Sequence, residues 1–424
     1  MEEKMILDVR DKPSSITTWL VLSLQHVFAM FGATVLVPIL TGLSIGVALV
    51  ASGVGTLIYI ACTKGKVPVY LGSSFAYIAA IAVAGSVNGF GSAYIGLMFV
   101  GLIYVIVSFI IRFTGSGWIK HLLPPVVIGP VIIIIGLGLA GVAISSAGLD
   151  GASGWQIPVV ALVTFSTVVG ISIFAKGFLK IVPFLIAIAV GYVFSVVIGV
   201  VNLQEAFAGY RFLQVPDFTF FGTYALDFTA VIMFLPIAFV TIAEHIGDHT
   251  VLGEVTGKDF ISDPGLDKTL LGDGIATMVS AMIGGPANTT YGENTGVVAM
   301  TRVASVYVTG VAAMIAIVLG FFGYVQAFVN SIPWAVIGGM TIILYGLIAS
   351  NGVKVLVKAK VDLSNIRNLI IVATILVIGL GGAAIPLNDA VSLQGMSLAA
   401  VAGIILNLIL PEPKKKEELA VAAK

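Results

Sequence analysis

The chain predicts an all-α polytopic membrane protein of about fourteen transmembrane segments, built as two inverted repeats of seven. Composition, the placement of basic residues and a repeated motif carry that prediction. Of 424 residues, 58% are hydrophobic and only 10% charged, 49 are glycine, and mean hydropathy is +1.11. A soluble protein of this size could not cover its surface with so little charge. The formal net charge is zero, so nothing points to nucleic acid as a partner.

Taken in order, apolar stretches long enough to cross a core of about 30 Å fall near 17–40, 46–62, 67–84, 92–111, 124–144, 156–175, 181–201, 228–250, 270–285, 286–304, 305–327, 332–349, 366–382 and 393–410. The third, ninth and tenth are short or interrupted by glycine. Ahead of the first, Met1 to Pro13 mixes acidic and basic residues, and no small-residue cleavage pattern follows, so neither a cleaved signal peptide nor an organelle transit peptide is expected. With the N-terminus in the cytoplasm, every one of the 21 lysines and arginines except Arg211 falls on an inner segment, from Lys4 and Arg10 to Lys414 and Lys424. Positive-inside bias of that kind expects an even number of spans and both termini in the cytoplasm.

The repeat is read from Pro124-x-x-Val127-Ile128-Gly129 in the fifth span, which recurs as Pro333-x-x-Val336-Ile337-Gly338 in the twelfth, with Ile133-Ile134 recurring as Ile342-Ile343. Copies seven spans apart enter the membrane in opposite senses. The third and tenth spans are also seven apart and share a grammar. One reads Pro68-Val69-Tyr70-Leu71-Gly72-Ser73-Ser74-Phe75; the other runs from Pro286 through Thr289-Thr290-Tyr291 to Gly292. Each has a proline, a β-favouring triplet and glycine before a helical run. Paired interruptions point to a central binding site for a small polar molecule, where half-helix N-termini offer free N–H groups. Irregular backbone at membrane depth survives only where protein or a cavity surrounds it. Close helix packing by Gly and Ser is the simpler alternative.

Charged side chains concentrate near that site. Glu293 lies between Gly292 and Asn294, and Ala243-Glu244-His245-Ile246-Gly247-Asp248-His249 closes the eighth span. On a helix Glu244 and Asp248 share one face and His245 and His249 the next. Gly247 could instead end the span and leave Asp248 and His249 in a loop. Acid and histidine at this spacing can bind metal, but they complete no ligand set, so no metal is expected. Gln25-His26 is a polar pair in the first span, serving a helix contact or supporting the site. Cys62, the single cysteine, sits in an apolar run as a packing residue. No lysine or arginine lies in the apolar part of these spans to pair with Glu244 or Glu293. Burial favours the protonated form of a carboxyl group, so a glutamate in such a place can carry a proton.

Glu293-Asn294-Thr295-Gly296-Val297-Val298-Ala299-Met300-Thr301-Arg302 fits the signature of the nucleobase–ascorbate transporters, an acid or Gln followed by N-x-G-x-x-x-x-T-[R/K/G]. The resemblance extends to Leu24-Gln25-His26-Val27-Phe28-Ala29-Met30-Phe31-Gly32, Leu71-Gly72-Ser73-Ser74-Phe75-Ala76-Tyr77, Ala243-Glu244-His245 and Leu344-Tyr345-Gly346. Within that family the chain most resembles the bacterial uracil permeases. The resemblance implies a proton-coupled symporter of uracil, not an enzyme, in the cell membrane of a prokaryote, usually a homodimer in the lipid bilayer and without a cofactor. It also implies short strands in spans three and ten, a core domain (17–123 and 227–327) and a gate domain (124–226 and 328–410), between a cytoplasmic N-terminus (1–16) and tail (411–424). Carried over by position, Glu244 and Glu293 bind the pyrimidine, backbone N–H groups at Phe75 and Gly292 meet its carbonyls, and Ser74 lies beside them. Phe75 and Tyr291 contact the ring, Tyr345 faces it from the gate, and His26 braces the network. Proton coupling falls to Glu244, Glu293, Asp248, His26 and His245. Asp248 is a departure, since some uracil carriers have His there.

Other classes remain open. A xanthine or urate symporter of the same family is one; an anion carrier of the same inverted-repeat architecture is another, although carboxylates oppose an anion. A membrane-embedded metal hydrolase would have to draw on Glu244, His245, Asp248 and His249.

Overall fold

The computed structural model describes residues 5–151, 153–386 and 392–411. Lys4 and the tail after residue 411, including Lys414 to Lys416 and Lys424, lie outside the described residues. The first half runs α1 (Ile16–Thr41), α2 (Ile45–Cys62), β1 (Leu71–Ser73), a tight turn over Phe75–Tyr77 leading into α3 (Ile78–Asn88), then α4 (Phe90–Thr114) and the short α5 (Gly117–Leu122). It continues with α6 (Pro125–Leu137), α7 (Ala140–Ser146), α8 (Gln156–Phe174), α9 (Pro183–Val197) and the single-turn α10 (Leu203–Ala206). The second half holds α11 (Val231–Thr256), α12 (Leu266–Met282), β2 (Asn288–Thr290), α13 (Gly292–Thr301), α14 (Val306–Gly320) and α15 (Gly323–Asn330). It ends with α16 (Trp334–Lys358), α17 (Ile366–Leu380), the strands β3 (Ala384–Pro386) and β4 (Ser392–Gln394), and α18 (Gly395–Ile409).

Every apolar stretch read from the sequence carries a helix. Among the described residues, 7 helical segments are long and apolar enough to cross a membrane: α1, α2, α4, Pro125–Ser146, α8, α11 and α16. Shorter apolar helices, including α9, α14, α17 and α18, fill in between them. The lengths are uneven for local reasons. The third and tenth stretches use half their residues as extended chain, the fifth breaks between α6 and α7, and the eleventh breaks at Phe321-Phe322 between α14 and α15.

Three boundaries differ from the sequence expectation. Gly247 does not end the eighth span: α11 continues to Thr256 and stops at Gly257, which supplies a left-handed cap (φ 67). The twelfth span runs on to Lys358 as α16, because Gly352 and Leu356 in its last turns stay buried against α6 while Asn351, Lys354 and Lys358 face outwards. The antiparallel β3–β4 pair, Ile385 opposite Leu393, has no sequence signal of comparable strength.

The repeat is visible as paired contacts. α4 packs on α12 as α14 packs on α2; α8 packs on α16 as α17 packs on α6; α8 lies against α9 as α17 lies against α18. The motif pair lies where the two halves meet. Pro124 precedes α6 and Pro333 precedes α16. Gly129, near the start of α6, lies against Gly352 and Leu356 near the end of α16, while Gly338, near the start of α16, lies against Ser146 and Ala147 at the end of α7. Each glycine thus admits the far end of the other copy, as a two-fold axis in the membrane plane requires.

Two large apolar groups flank the centre. One joins α3, α4, α6, α11, α17 and α18 around Ile81, Leu97 and Phe234; the other joins α1, α8, α9, α14 and α16 around Met30, Leu36 and Tyr345. At one end of the molecule the N-terminal segment is stitched to the link between α13 and α14, through Ala304 N to Leu7 O (2.9 Å) and Val306 N to Val9 O (3.0 Å). Burial pushes the Asp8 carboxyl up, but hydrogen bonds from Lys258 and the Val9 N–H outweigh it and hold it below the usual carboxylate range.

The close approach of α6 and α16 gives a direct test. A Cβ at Gly352 would lie 2.7 Å from the Ile133 backbone nitrogen, whereas Gly141 faces open space. Gly352→Val is expected to cost about 1–3 kcal/mol and lower the melting temperature in detergent, with Gly141→Val leaving it unchanged.

Candidate binding site at the paired half-helices

β1 and β2 pair antiparallel, with Leu71 opposite Thr290, Gly72 opposite Thr289 and Ser73 opposite Asn288. The ladder extends by one bond at each end, from Tyr291 N to Tyr70 O (3.1 Å) and from Ser74 N to Ala287 O (2.9 Å). Each strand leads straight into a helix, so the turn at Phe75 and the start of α13 face one another across the ladder. The remaining strand groups find side chains. Leu71 N donates to Thr56 Oγ1 (2.9 Å), Ser52 Oγ donates to Leu71 O (2.9 Å), Ser73 Oγ donates to Thr34 O (3.1 Å), and Asn288 N donates to Thr277 Oγ1 (3.2 Å). Hydroxyls of α2 and α12 thus satisfy strand backbone groups at membrane depth, while Ser73 Oγ ties the ladder to the α1 backbone.

Gly72 is obligatory in this ladder. A Cβ at that position would run into the Tyr291 ring and sit 2.8 Å from Thr34 Oγ1. Tyr291 is therefore turned into the protein, its hydroxyl donating to Ser73 O (2.9 Å) and accepting from Thr34 Oγ1 (3.3 Å). Its side chain holds the ladder rather than lining open space.

Gly292 and Glu293 form the first turn of α13, whose leading N–H groups have no intrahelical partner. Gly292 is exposed with open space beyond it, and Glu293 is half-buried. Glu244 and Asp248, one turn apart on α11, are also half-buried, with exposed Gly247 between them. The three carboxyl groups lie close enough to interact through their charges. Thr290 Oγ1 donates to Asp248 Oδ2 (2.5 Å), tying α11 to β2. Phe75 is half-buried and packs against both large apolar groups. Ser74 Oγ and the Tyr345 hydroxyl are buried without a partner among the described residues.

Glu293 also lines a cavity of about 110 Å³ between α1 (Phe28, Gly32), the start of α9 (Phe184) and α16 (Met340, Leu344). Lys180 lines it too. Lys180 lies outside the apolar spans, and the chain turn over Gly177–Lys180 carries it to this cavity.

Behind the carboxylates lies a buried polar row. His245 Nδ1 pairs with Asp273 Oδ2 (2.9 Å), His249 Nδ1 donates to His245 O (2.7 Å), and His249 Nε2 meets the Tyr59 hydroxyl. The two imidazoles stack with centroids 4.0 Å apart. His245 therefore faces Asp273 rather than Glu244. Among the described residues no three His, Cys, Asp or Glu side chains are disposed to hold a metal ion. His26 lies beside the other half-helix, where Asn294 Nδ2 donates to its Nδ1 (3.0 Å) and its carbonyl (3.1 Å).

Sequence reasoning passed over Asp273, Lys180 and the role of Asn294. A signal existed for Asp273, a lone acid in an apolar span between Gly272 and Gly274, as Glu293 lies between Gly292 and Asn294. Those glycines let Tyr59 of α2 and Tyr104 of α4 approach α12 closely and seal the carboxyl in.

The model of the Permease family matches residues 17–388. The chain belongs to the nucleobase–ascorbate transporter family. It is 49% identical over 422 residues to the uracil permease of Bacillus caldolyticus, covering 98% of this chain and 97% of that one. It is 46% identical to the uracil permease of Bacillus subtilis, covering 98% of each, and 41% identical to that of Escherichia coli K12, covering 95% and 93%. Among solved structures, its fold is similar to the transmembrane domain of the cyanobacterial bicarbonate transporter BicA (TM-score 0.62, 16% identity, covering 94% of this chain and 98% of that one). It is also similar to the murine anion transporter Slc26a9 in its inward-facing state (TM-score 0.70, 11% identity, covering 94% and 69%). At such identities the likeness concerns the inverted-repeat fold alone. This nucleobase–ascorbate transporter family member is thus a multi-pass membrane protein.

The buried row makes a stability test possible in this transporter. Asp273→Ala leaves the His245 Nδ1 without a partner, at a cost of about 1–3 kcal/mol, whereas Asp273→Asn keeps an acceptor oxygen. Thermal unfolding in detergent is expected to show a lowered midpoint for the alanine variant and a near wild-type one for the asparagine variant.

Proposed function

We propose that this chain is a proton-coupled symporter that imports uracil across the cell membrane of a prokaryote by alternating access. One observation carries the reading: two half-helix N-termini face each other across a strand pair, with Glu244 and Glu293 beside them, and the chain is 49%, 46% and 41% identical to three proteins named uracil permease.

The chemistry is matched. Uracil is a flat neutral ring with alternating N–H donors and carbonyl acceptors, so Glu244 and Glu293 accept from its N–H groups while backbone N–H groups at Phe75 and Gly292 donate to its carbonyls. The Phe75 ring supplies a stacking face, and Tyr345 faces the ring from α16, with Ser74 Oγ adding a polar contact. Tyr291 contributes through the ladder it holds. His26 acts through Asn294.

A glutamate of the pair takes up a proton on the outer side, favours substrate, and releases both inside. Once Glu293 is ionised, Lys180 provides a countercharge across the shared cavity. Asp248 reports the state of α11 to β2 through Thr290. Alternating access follows from a core domain, 17–123 and 227–327, moving against a gate domain, 124–226 and 328–410. A cavity with α1 and α13 on one wall and α9 and α16 on the other supports that division. The termini face the cytoplasm, and the functional unit is a homodimer. An anion carrier of this fold fits less well, because three carboxyl groups border the cleft and oppose a bound anion.

The test is uptake of radiolabelled uracil into proteoliposomes with an inward proton gradient imposed or collapsed. Gradient-dependent uptake that unlabelled uracil competes away and xanthine does not is expected, with Glu293→Gln lowering it by at least about tenfold, the equivalent of ~1.4 kcal/mol. Accumulation of xanthine but not uracil would overturn the substrate. Uptake indifferent to the proton gradient would overturn the coupling.

A further inference from the structure

A second binding site lies away from the carboxylate cleft. At the end of the molecule where α1 begins, α2 ends and α14 begins, Trp19 Nε1 donates to Tyr307 O (3.0 Å), and the two rings meet edge to face, 6.2 Å apart at 84°. Lys12 Nζ lies 4.9 Å from the centre of the Tyr307 ring. Between these elements is a pocket of about 390 Å³ with Arg10 and Lys64 at its polar side and Leu57, Ile60, Val311 and Met314 along its apolar side. Among the described residues no acid lines it.

Two acids near this end are ion-paired, and a third accepts a backbone hydrogen bond. Asp8 pairs with Lys258 (3.0 Å), Asp263 pairs with Lys66 (2.5 Å), and Asp11 accepts from the Asp8 N–H (2.9 Å). Arg10 feels Asp263 only at longer range, as one of the cations that hold that carboxyl low. With Asp8 and Asp263 paired, Arg10, Lys12 and Lys64 outnumber Asp11 and Asp259 among the described residues at this end and leave net positive charge beside an apolar groove. Leu57, on the membrane-length α2, and Tyr307 and Met314, on the shorter apolar α14, are 36%, 38% and 50% exposed, so the groove opens towards lipid. A Trp–Tyr pair at such a level marks the boundary between acyl chains and headgroups.

We propose that this pocket binds one anionic phospholipid. Its phosphate sits between Arg10 and Lys64, its glycerol esters lie at Trp19 and Tyr307, and one acyl chain follows Leu57, Ile60 and Met314. Charge selects an anionic headgroup over a zwitterionic one, at about fivefold in affinity per cation. The groove selects a lipid over free phosphate, which offers nothing to the apolar side.

Native mass spectrometry of the full chain, released from detergent and titrated with phosphatidylglycerol or phosphatidylcholine, tests this. One phosphatidylglycerol adduct is expected to survive activation that strips phosphatidylcholine, and millimolar inorganic phosphate is expected not to displace it. The double variant R10Q/K64Q is expected to reduce the adduct at least about tenfold, with Lys354→Gln, on an exposed stretch of α16, leaving it intact. Leu57→Trp, which fills the groove without changing charge, is expected to reduce it as well, and decides the matter if the double variant elutes as misfolded protein. Equal retention of both lipids, displacement by phosphate, or an adduct unchanged in R10Q/K64Q or in Leu57→Trp would overturn the proposal.

Discussion

Backbone polar groups at membrane depth have no water to turn to, and the β1–β2 ladder is how this chain breaks two helices there without leaving those groups bare. Six residues pair with each other, and hydroxyls from α2 and α12 take further strand groups. Everything distinctive at the centre follows. Gly72 is needed because Tyr291 lies where its side chain would be. α13 starts at membrane depth, where its first N–H groups have no intrahelical acceptor, and Glu293 is placed on that first turn. Asp248 is drawn to the same ladder through Thr290.

The scaffold is symmetric but its chemistry is not. Both halves supply a proline, a short strand and a half-helix, and their helices pack in matching pairs. The first copy brings Ser74 and Phe75, an uncharged polar group and an aromatic face. The second brings Glu293, and α11 adds Glu244 and Asp248 where α1, its counterpart, carries Gln25 and His26. A two-fold frame thus presents acceptors mainly from one side and stacking surface from the other. Such an arrangement suits a flat ligand with distinct edges better than a spherical ion.

Much of this was legible in the sequence because it rests on local rules. Prolines, β-favouring triplets and glycines at 68–72 and 286–292 announced the interruptions, and the four-residue spacing of Glu244 and Asp248 put them on one helical face, as in α11. Other features rest on contacts between distant segments. Asp273 pairs with His245 only because glycines bring α12 against α2 and α4, and Lys180 reaches the Glu293 cavity only because the chain folds back before α9. Gly247 misled as a possible helix end: packing of His245 and His249 on the buried face carries α11 past it. Tyr291, placed against the ligand by family likeness, commits its ring and hydroxyl to the ladder.

The most direct measurement is equilibrium binding of labelled uracil to purified wild-type protein and to Gly72→Ala, with size-exclusion elution confirming that both are folded. The added methyl group displaces the Tyr291 ring and Thr34 from the ladder without removing any carboxylate. If the strand pair sets the site, wild-type protein binds uracil and the variant loses at least about tenfold in affinity, ~1.4 kcal/mol. Undiminished binding by folded Gly72→Ala would contradict the central role of the ladder.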